Sequence, residues 1–142
     1  ERYIDNIFFL TYCDGLINLN LKKLFNLFLK EKKIGIMTAA NPRSRFGIIK
    51  SKGKMVQNFN EKSLIKNMWV NAGFYIFHKK LFSYLPKKNS IFESQIIPKI
   101  VKKKLLLSYK HNGFWKTMDT IKDKNELNEI WFVSKPTPWK KW

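Results

Sequence analysis

Apolar residues recur along this chain in two rhythms, short runs suited to buried strands and stretches at helical spacing. Ile7 to Tyr12 is an apolar and aromatic run closed by Asp14-Gly15, the pattern of a strand buried on both faces in an α/β sheet. Asn18 or Asn20 is placed to cap the helix that follows, in which Leu21, Leu24, Phe25 and Phe28 share one face and Lys22, Lys23, Lys30 and Lys32 the other. Ile34 to Ala39 reads as a second strand. Phe46 to Ile49 and Met55 to Phe59, parted by Lys52-Gly53-Lys54, read as a hairpin-like pair. Trp69 to Phe77 is a long apolar strand holding Asn71 and Gly73. A short helix is expected over Lys79 to Leu85 and another over Ser90 to Lys103, with Phe92, Ile96, Ile97, Ile100 and Val101 inward and Pro98 breaking it into pieces. Leu105 to His111 is the last strand, and Thr120-Ile121-Lys122-Asp123 opens the final helix, to Phe132, with a capping box. The proline-rich tail from Pro136 is expected to be irregular.

With 142 residues, no repeat and no linker, a single domain over residues 1–142 is expected. The first residue is Glu1 and the chain opens as if inside a helix-to-strand connection, so an N-terminal part is expected to be missing. The formal charge of +18 suggests an anionic partner at first sight. Yet among 28 basic residues only Arg2, Arg43 and Arg45 are Arg, and the lysines are scattered among many Asn, Ile and Phe. That points to compositional drift in an ordinary enzyme, with no nucleic-acid partner expected. Cys13 is the only cysteine, which excludes an internal disulfide and a cysteine-rich zinc site and fits a reducing, cytoplasmic setting. No apolar run reads as a membrane span or signal peptide, so no membrane partner is expected.

Acid is scarce, with ten carboxylate side chains in all, so their positions matter. Asp14 ends an apolar strand and Asp119 precedes a helix N-terminus, where the dipole favours an ionised carboxylate. Magnesium takes hard oxygen ligands and keeps several waters, so two such aspartates suffice for it. Spacing alone equally allows a turn-closing Asp14 and a capping Asp119, and by itself favours that structural role. Glu61-Lys62 pairs a carboxylate suited to sugar hydroxyls with a point charge suited to a phosphate, or is an accident of a chain so rich in lysine. Gly47, after Arg45-Phe46, admits close approach of a ligand or serves the turn. Asn71 requires a partner inside its strand, either a ligand hydroxyl or neighbouring backbone. Trp115 suits a sugar face or the core, with core the default. His78 and His111 lack partners at catalytic or metal spacing and read as surface or strand-end residues.

Taken together, Tyr12-Cys13-Asp14-Gly15, Arg45-Phe46-Gly47, Asn58-Phe59-Asn60-Glu61-Lys62, Trp69-Val70-Asn71-Ala72-Gly73-Phe74, Gly113-Phe114-Trp115-Lys116-Thr117-Met118-Asp119-Thr120 and Pro138-Trp139-Lys140-Lys141-Trp142 resemble the glucose-1-phosphate cytidylyltransferases, in order and from end to end. The resemblance implies an α/β fold with a Rossmann-like mixed sheet of the nucleotidyltransferase, glycosyltransferase A-like type, incomplete at its N-terminus. It implies attack of glucose 1-phosphate on the α-phosphorus of CTP, giving CDP-glucose and pyrophosphate, a supply reaction of nucleotide-sugar and lipopolysaccharide O-antigen biosynthesis. Asp14 and Asp119 match the family's metal-binding, catalytic aspartates, with Mg2+ as cofactor. Glu61 and Lys62 match residues that hold the sugar and its phosphate, and Gly47, Asn71 and Gly73 line the sugar side, with Arg45 and Trp115 also assigned to substrate binding.

Three departures stand out. Cys13 replaces a glycine beside the metal aspartate, Asn41-Pro42-Arg43-Ser44 replaces a proline-glycine approach to Arg45, and Ser63 replaces the proline after the lysine. The family's N-terminal glycine-rich nucleotide loop has no counterpart, so the resemblance implies the acceptor-side part only, inactive unless paired with an N-terminal half, with the strand ending at Asp14 left as an exposed apolar edge and a homo-oligomer as a further expectation. A non-catalytic remnant or partner-binding fragment is the alternative reading, and a basic nucleic-acid-binding domain the third.

Overall fold

The computed structural model describes residues 3–61, 63–65, 67–86 and 89–140. In chain order the elements are β1 (Ile7–Thr11), β2 (Gly15–Ile17), α1 (Leu21–Glu31), β3 (Gly35–Ala40), β4 (Ile48–Lys52), β5 (Met55–Asn60), β6 (Val70–His78), a 3₁₀ turn (Lys79–Tyr84), a π-helical turn (Phe92–Ile96), α2 (Ile97–Lys102), β7 (Leu106–His111), β8 (Trp115–Thr117) and α3 (Ile121–Val133). Four strands form a mixed sheet in the order β1-β6-β3-β7. β6 is antiparallel to β1 and to β3, whereas β3 and β7 are parallel. The C-terminal ends of β1, β3 and β7 therefore meet the N-terminal end of β6 along one edge, where open α/β sheets bind ligands.

Alternation along β6 divides the core between the two faces. Tyr75 and Phe77 pack with Ile34, Leu81, Ile96 and Ile100 on one side. Ile76 joins Ile36, Leu19, Leu24 and Phe28 on the other, beneath α1. Burying each of the larger apolar side chains contributes about 1.5–3 kcal/mol. Helix ends follow the sequence signals. Asn20, not Asn18, caps α1 by accepting from the Lys23 N–H at 2.9 Å. Pro98 sits in the first turn of α2, where its missing N–H leaves no intrahelical bond unmade, and the π-helical turn precedes it as the expected separate piece.

Three features differ from the local patterns. β1 reads as buried on both faces, yet it pairs only with β6 among the described residues, as the expected apolar sheet edge, and Phe9 is 54 % exposed although it stacks on Phe25. A strand with one neighbour keeps one flank open, which is why its burial is only partial. Val101 turns outward because the α2 face centres on Ile97 and Ile100. Finally, β2 and β8 form a two-stranded antiparallel ribbon that no periodicity announced, since three-residue strands are too short to show any.

Candidate active site

The ribbon brings the two singled-out aspartates together. Gly15 pairs with Thr117, and the Met118 N–H donates to the Asp14 carbonyl at 2.9 Å, so Asp14 and Asp119 leave adjacent ends of one antiparallel pair. β2 follows β1 through Tyr12-Cys13-Asp14, and β8 follows β7 through the Asn112-Gly113-Phe114 turn, so the ribbon stands on the ligand-binding edge of the sheet. Asp14 Oδ1 is buried with no hydrogen-bond partner among the described residues. Asp119 Oδ2 accepts from the Thr117 hydroxyl at 2.8 Å and faces Arg45 Nη2 at 3.2 Å. Among the described residues no group of three or more His, Cys, Asp or Glu is arranged to hold a metal.

β6 lies beneath the ribbon. The Trp115 indole N–H donates to the Ala72 carbonyl at 3.1 Å, tying β8 to the residue between Asn71 and Gly73. Asn71 spends both amide protons, one on the Tyr12 hydroxyl at 3.1 Å and one on the Tyr75 hydroxyl, while its Oδ1 accepts from the Gly73 N–H at 3.0 Å. The polar residue inside the apolar strand is thus satisfied by protein groups. Gly73 has φ +77°, and a Cβ there would lie 2.7 Å from the Tyr12 ring, so neither the backbone nor the space admits a side chain. Burial, reinforced by the hydrogen bond to Glu93, pushes the Tyr12 phenol well above its usual range. Burial raises Tyr75 as well, whereas the Tyr12 hydroxyl holds Glu93 below the usual carboxylate range.

Beyond β3 the loop at 41–45 forms one wall of a cleft of about 1240 Å³, with Trp69, Phe114, Trp115 and the first turns of α3 opposite. The loop is pinned through Asn41, whose amide donates to the carbonyls of Ile65 and Met68, and through an antiparallel bridge between Arg43 and Leu64. Gly47 meets Glu61 across the base of the β4–β5 hairpin: a Cβ at Gly47 would lie 2.3 Å from the Phe59 ring and 3.0 Å from Glu61 Oε2.

A model of the nucleotidyl transferase family matches residues 3–130. The chain belongs to the nucleotidyl transferase family. It is 34 % identical over 139 residues to a probable glucose-1-phosphate cytidylyltransferase of Bacillus subtilis, covering 97 % of this chain and 54 % of that protein. It is 29 % identical over 138 residues to the glucose-1-phosphate cytidylyltransferase of Salmonella typhimurium, covering 97 % of this chain and 53 % of that protein. The chain thus spans about half the length of these relatives. A crystal structure assigned as a glucose-1-phosphate thymidylyltransferase from Bacillus anthracis superposes with a TM-score of 0.67 at 17 % identity, covering 91 % of this chain and 56 % of that one. The mixed α/β sheet is therefore the nucleotidyltransferase type that the sequence motifs resembled.

Within this nucleotidyl transferase fold the candidate residues fall into three groups. Asp119 pairs with Arg45, and Asp14 joins them through the backbone of the ribbon; Asn71 and Gly73 flank Ala72, which accepts from Trp115, on β6; Gly47 and Glu61 meet at the hairpin base. Lys62 lies outside the described residues. His111 is buried, its Nε2 3.1 Å from the Phe114 carbonyl, so it closes the β7–β8 turn as a strand-end residue instead of facing solvent. Cys13 is exposed beside Asp14. Sequence reasoning missed Lys116, whose ammonium pairs with Asp123 at 3.0 Å and Glu126 at 2.8 Å and locks β8 to α3 immediately around Asp119. Burial alone would pull the Lys116 pKa down, but the bonds to Glu126 and Asp123 outweigh it and leave it raised. The only available signal was its place inside the Gly-Phe-Trp-Lys-Thr-Met-Asp segment. Tyr12, Tyr75 and Glu93 were also missed, because no spacing connects residues so far apart in sequence.

Proposed function

We propose that this chain is the acceptor-side part of an enzyme that transfers a cytidylyl group from CTP to glucose 1-phosphate, releasing pyrophosphate. The observation that carries the reading is the emergence of Asp14 and Asp119 from adjacent ends of one ribbon on the ligand-binding edge, one with an unpartnered buried oxygen. The identities of about one-third to two cytidylyltransferases support the choice of nucleotide and sugar.

Hard carboxylate oxygens, few in number, are the donor set that suits Mg2+ with waters and substrate phosphates completing its shell. Asp14 and Asp119 would hold it, and when bound it supplies neutralisation of phosphate charge. The chain's own groups do the rest. Arg45, which lines the cleft and faces Asp119, adds a positive charge toward a phosphate. Glu61, beside Gly47 at the hairpin base, accepts from sugar hydroxyls, and Lys62 is assigned to the sugar's phosphate by the resemblance. Trp115 lines the cleft and is tied to β6 through the Ala72 carbonyl. Transfer at phosphorus relies on positioning and charge compensation, so no protein nucleophile is required.

The test is pyrophosphate release from CTP and glucose 1-phosphate with Mg2+, measured for this chain alone and with the N-terminal portion of a cytidylyltransferase relative supplied. The reading expects no turnover alone and turnover by the combination. Absence of turnover in both, with the two pieces shown to associate, would favour a non-catalytic remnant.

A further inference from the structure

Four polar side chains converge where β1 ends, two residues before Asp14. The Tyr12 hydroxyl donates to Glu93 Oε1, lies 3.1 Å from the Tyr75 hydroxyl and accepts from Asn71 Nδ2, which also reaches Tyr75. Proton counting fixes the direction of every bond. An ionised carboxylate only accepts, so the single Tyr12 proton goes to Glu93. Tyr12 then has none left for Tyr75, so the Tyr75 hydroxyl donates to Tyr12, and the Asn71 amide donates to both oxygens. All donors point toward one acceptor, an arrangement in which each bond polarises the next.

Both ends of this chain of bonds are anchored. Glu93 belongs to the π-helical turn, whose Ile96 is fully buried in the core together with Ile100 of α2. The Tyr12 ring rests against Gly73, and its N–H donates to the Gly73 carbonyl at 2.9 Å. Only Cys13 separates Tyr12 from Asp14, so a displacement of Tyr12 reaches the Asp14 carboxylate with little to absorb it.

We propose that Glu93 is a positioning residue which, through the Tyr12 hydroxyl, fixes the end of β1 and thereby the aim of the Asp14 carboxylate at a divalent cation. The inference rests on the metal role given to Asp14 above, and the experiment separates the two. Mn2+ is titrated into the 142-residue chain and the unbound ion is read by electron paramagnetic resonance, for wild type, Asp14→Asn, Glu93→Gln, Tyr12→Phe and the core control Ile36→Val. Circular dichroism melts place every titration well below unfolding.

The expected result is loss of binding in Asp14→Asn, weakening by about tenfold in Glu93→Gln and Tyr12→Phe, as for residues that orient a metal ligand, and unchanged affinity in Ile36→Val. If Glu93→Gln does not fold, Tyr12→Phe, which keeps the ring and removes only the hydroxyl, decides the matter. Wild-type affinity in Tyr12→Phe and Glu93→Gln, with binding still lost in Asp14→Asn, would overturn the positioning role and leave the metal role standing. Equal weakening in Ile36→Val would overturn it too, since general destabilisation would then account for the effect. No Mn2+ binding by the wild type, or binding indifferent to Asp14→Asn, would overturn the metal role and this inference with it.

Discussion

Arg45 Nη2 lies 3.2 Å from Asp119 Oδ2, linking the loop after β3 to the segment after β8. The two side chains are 70 % and 45 % exposed, so solvent screens the pair and its net contribution to stability is at most about 1 kcal/mol. Under the proposed function its consequence lies in placing a cation where a phosphate would arrive. Arg45→Ala should therefore shift the urea midpoint little, while in the combined enzyme it should raise KM for glucose 1-phosphate severalfold. Steady-state kinetics beside a urea melt separates the two effects.

Gly73 and Gly47 should respond differently to alanine. At Gly73 the backbone has φ +77° and the Tyr12 ring blocks a Cβ, so Gly73→Ala should cost about 1–3 kcal/mol. At Gly47 the obstructing atoms are the Phe59 ring and the Glu61 side chain, both on an exposed strand end and free to move. Gly47→Ala should accordingly leave the melting temperature nearly unchanged and instead impair sugar binding, which titration with glucose 1-phosphate would detect.

The α3 cap predicts a pH dependence with a defined sign. The Thr120 hydroxyl and the Lys116 ammonium hold the Asp123 carboxyl down at about 2, and Thr120 and Asp123 complete a reciprocal capping box. A carboxylate whose folded pKa lies below its unfolded value stabilises fully above the unfolded value, about 3.9, and ceases to do so as pH falls through the folded one. The wild type should lose this contribution between about pH 4 and pH 2, whereas Asp123→Asn should start less stable at pH 7 and show a flatter decline across that window. Thr120→Ala should cost about 1 kcal/mol at neutral pH. Urea melts at pH 7, 4 and 2.5 check both.

Much of the fold was legible because its long elements carry period and caps: α1 at Asn20, α3 at Thr120, and the apolar runs of β3, β6 and β7. β1 read as doubly buried because its composition resembles a central strand, while its open edge was expected only from the resemblance, since no local pattern encodes topology. The β2–β8 ribbon escaped for want of length, although it is the element that unites Asp14 with Asp119. Asn71 illustrates the same limit. Its need for a partner was plain from the strand around it, but of its partners Tyr75 lies four residues on along the same strand, whereas Tyr12 depends on which strands pair. Lys116 and Glu93 act through contacts that form only after α3 and the π-helical turn have docked.

The central claim is that Asp14 and Asp119 together hold the ion that compensates phosphate charge during nucleotidyl transfer. The most direct measurement is the rate of pyrophosphate release from CTP and glucose 1-phosphate by the chain combined with an N-terminal portion, comparing wild type with Asp119→Ala at saturating Mg2+. A fall of about a hundredfold or more, with association of the two pieces unchanged, is predicted. Undiminished turnover in Asp119→Ala would contradict it.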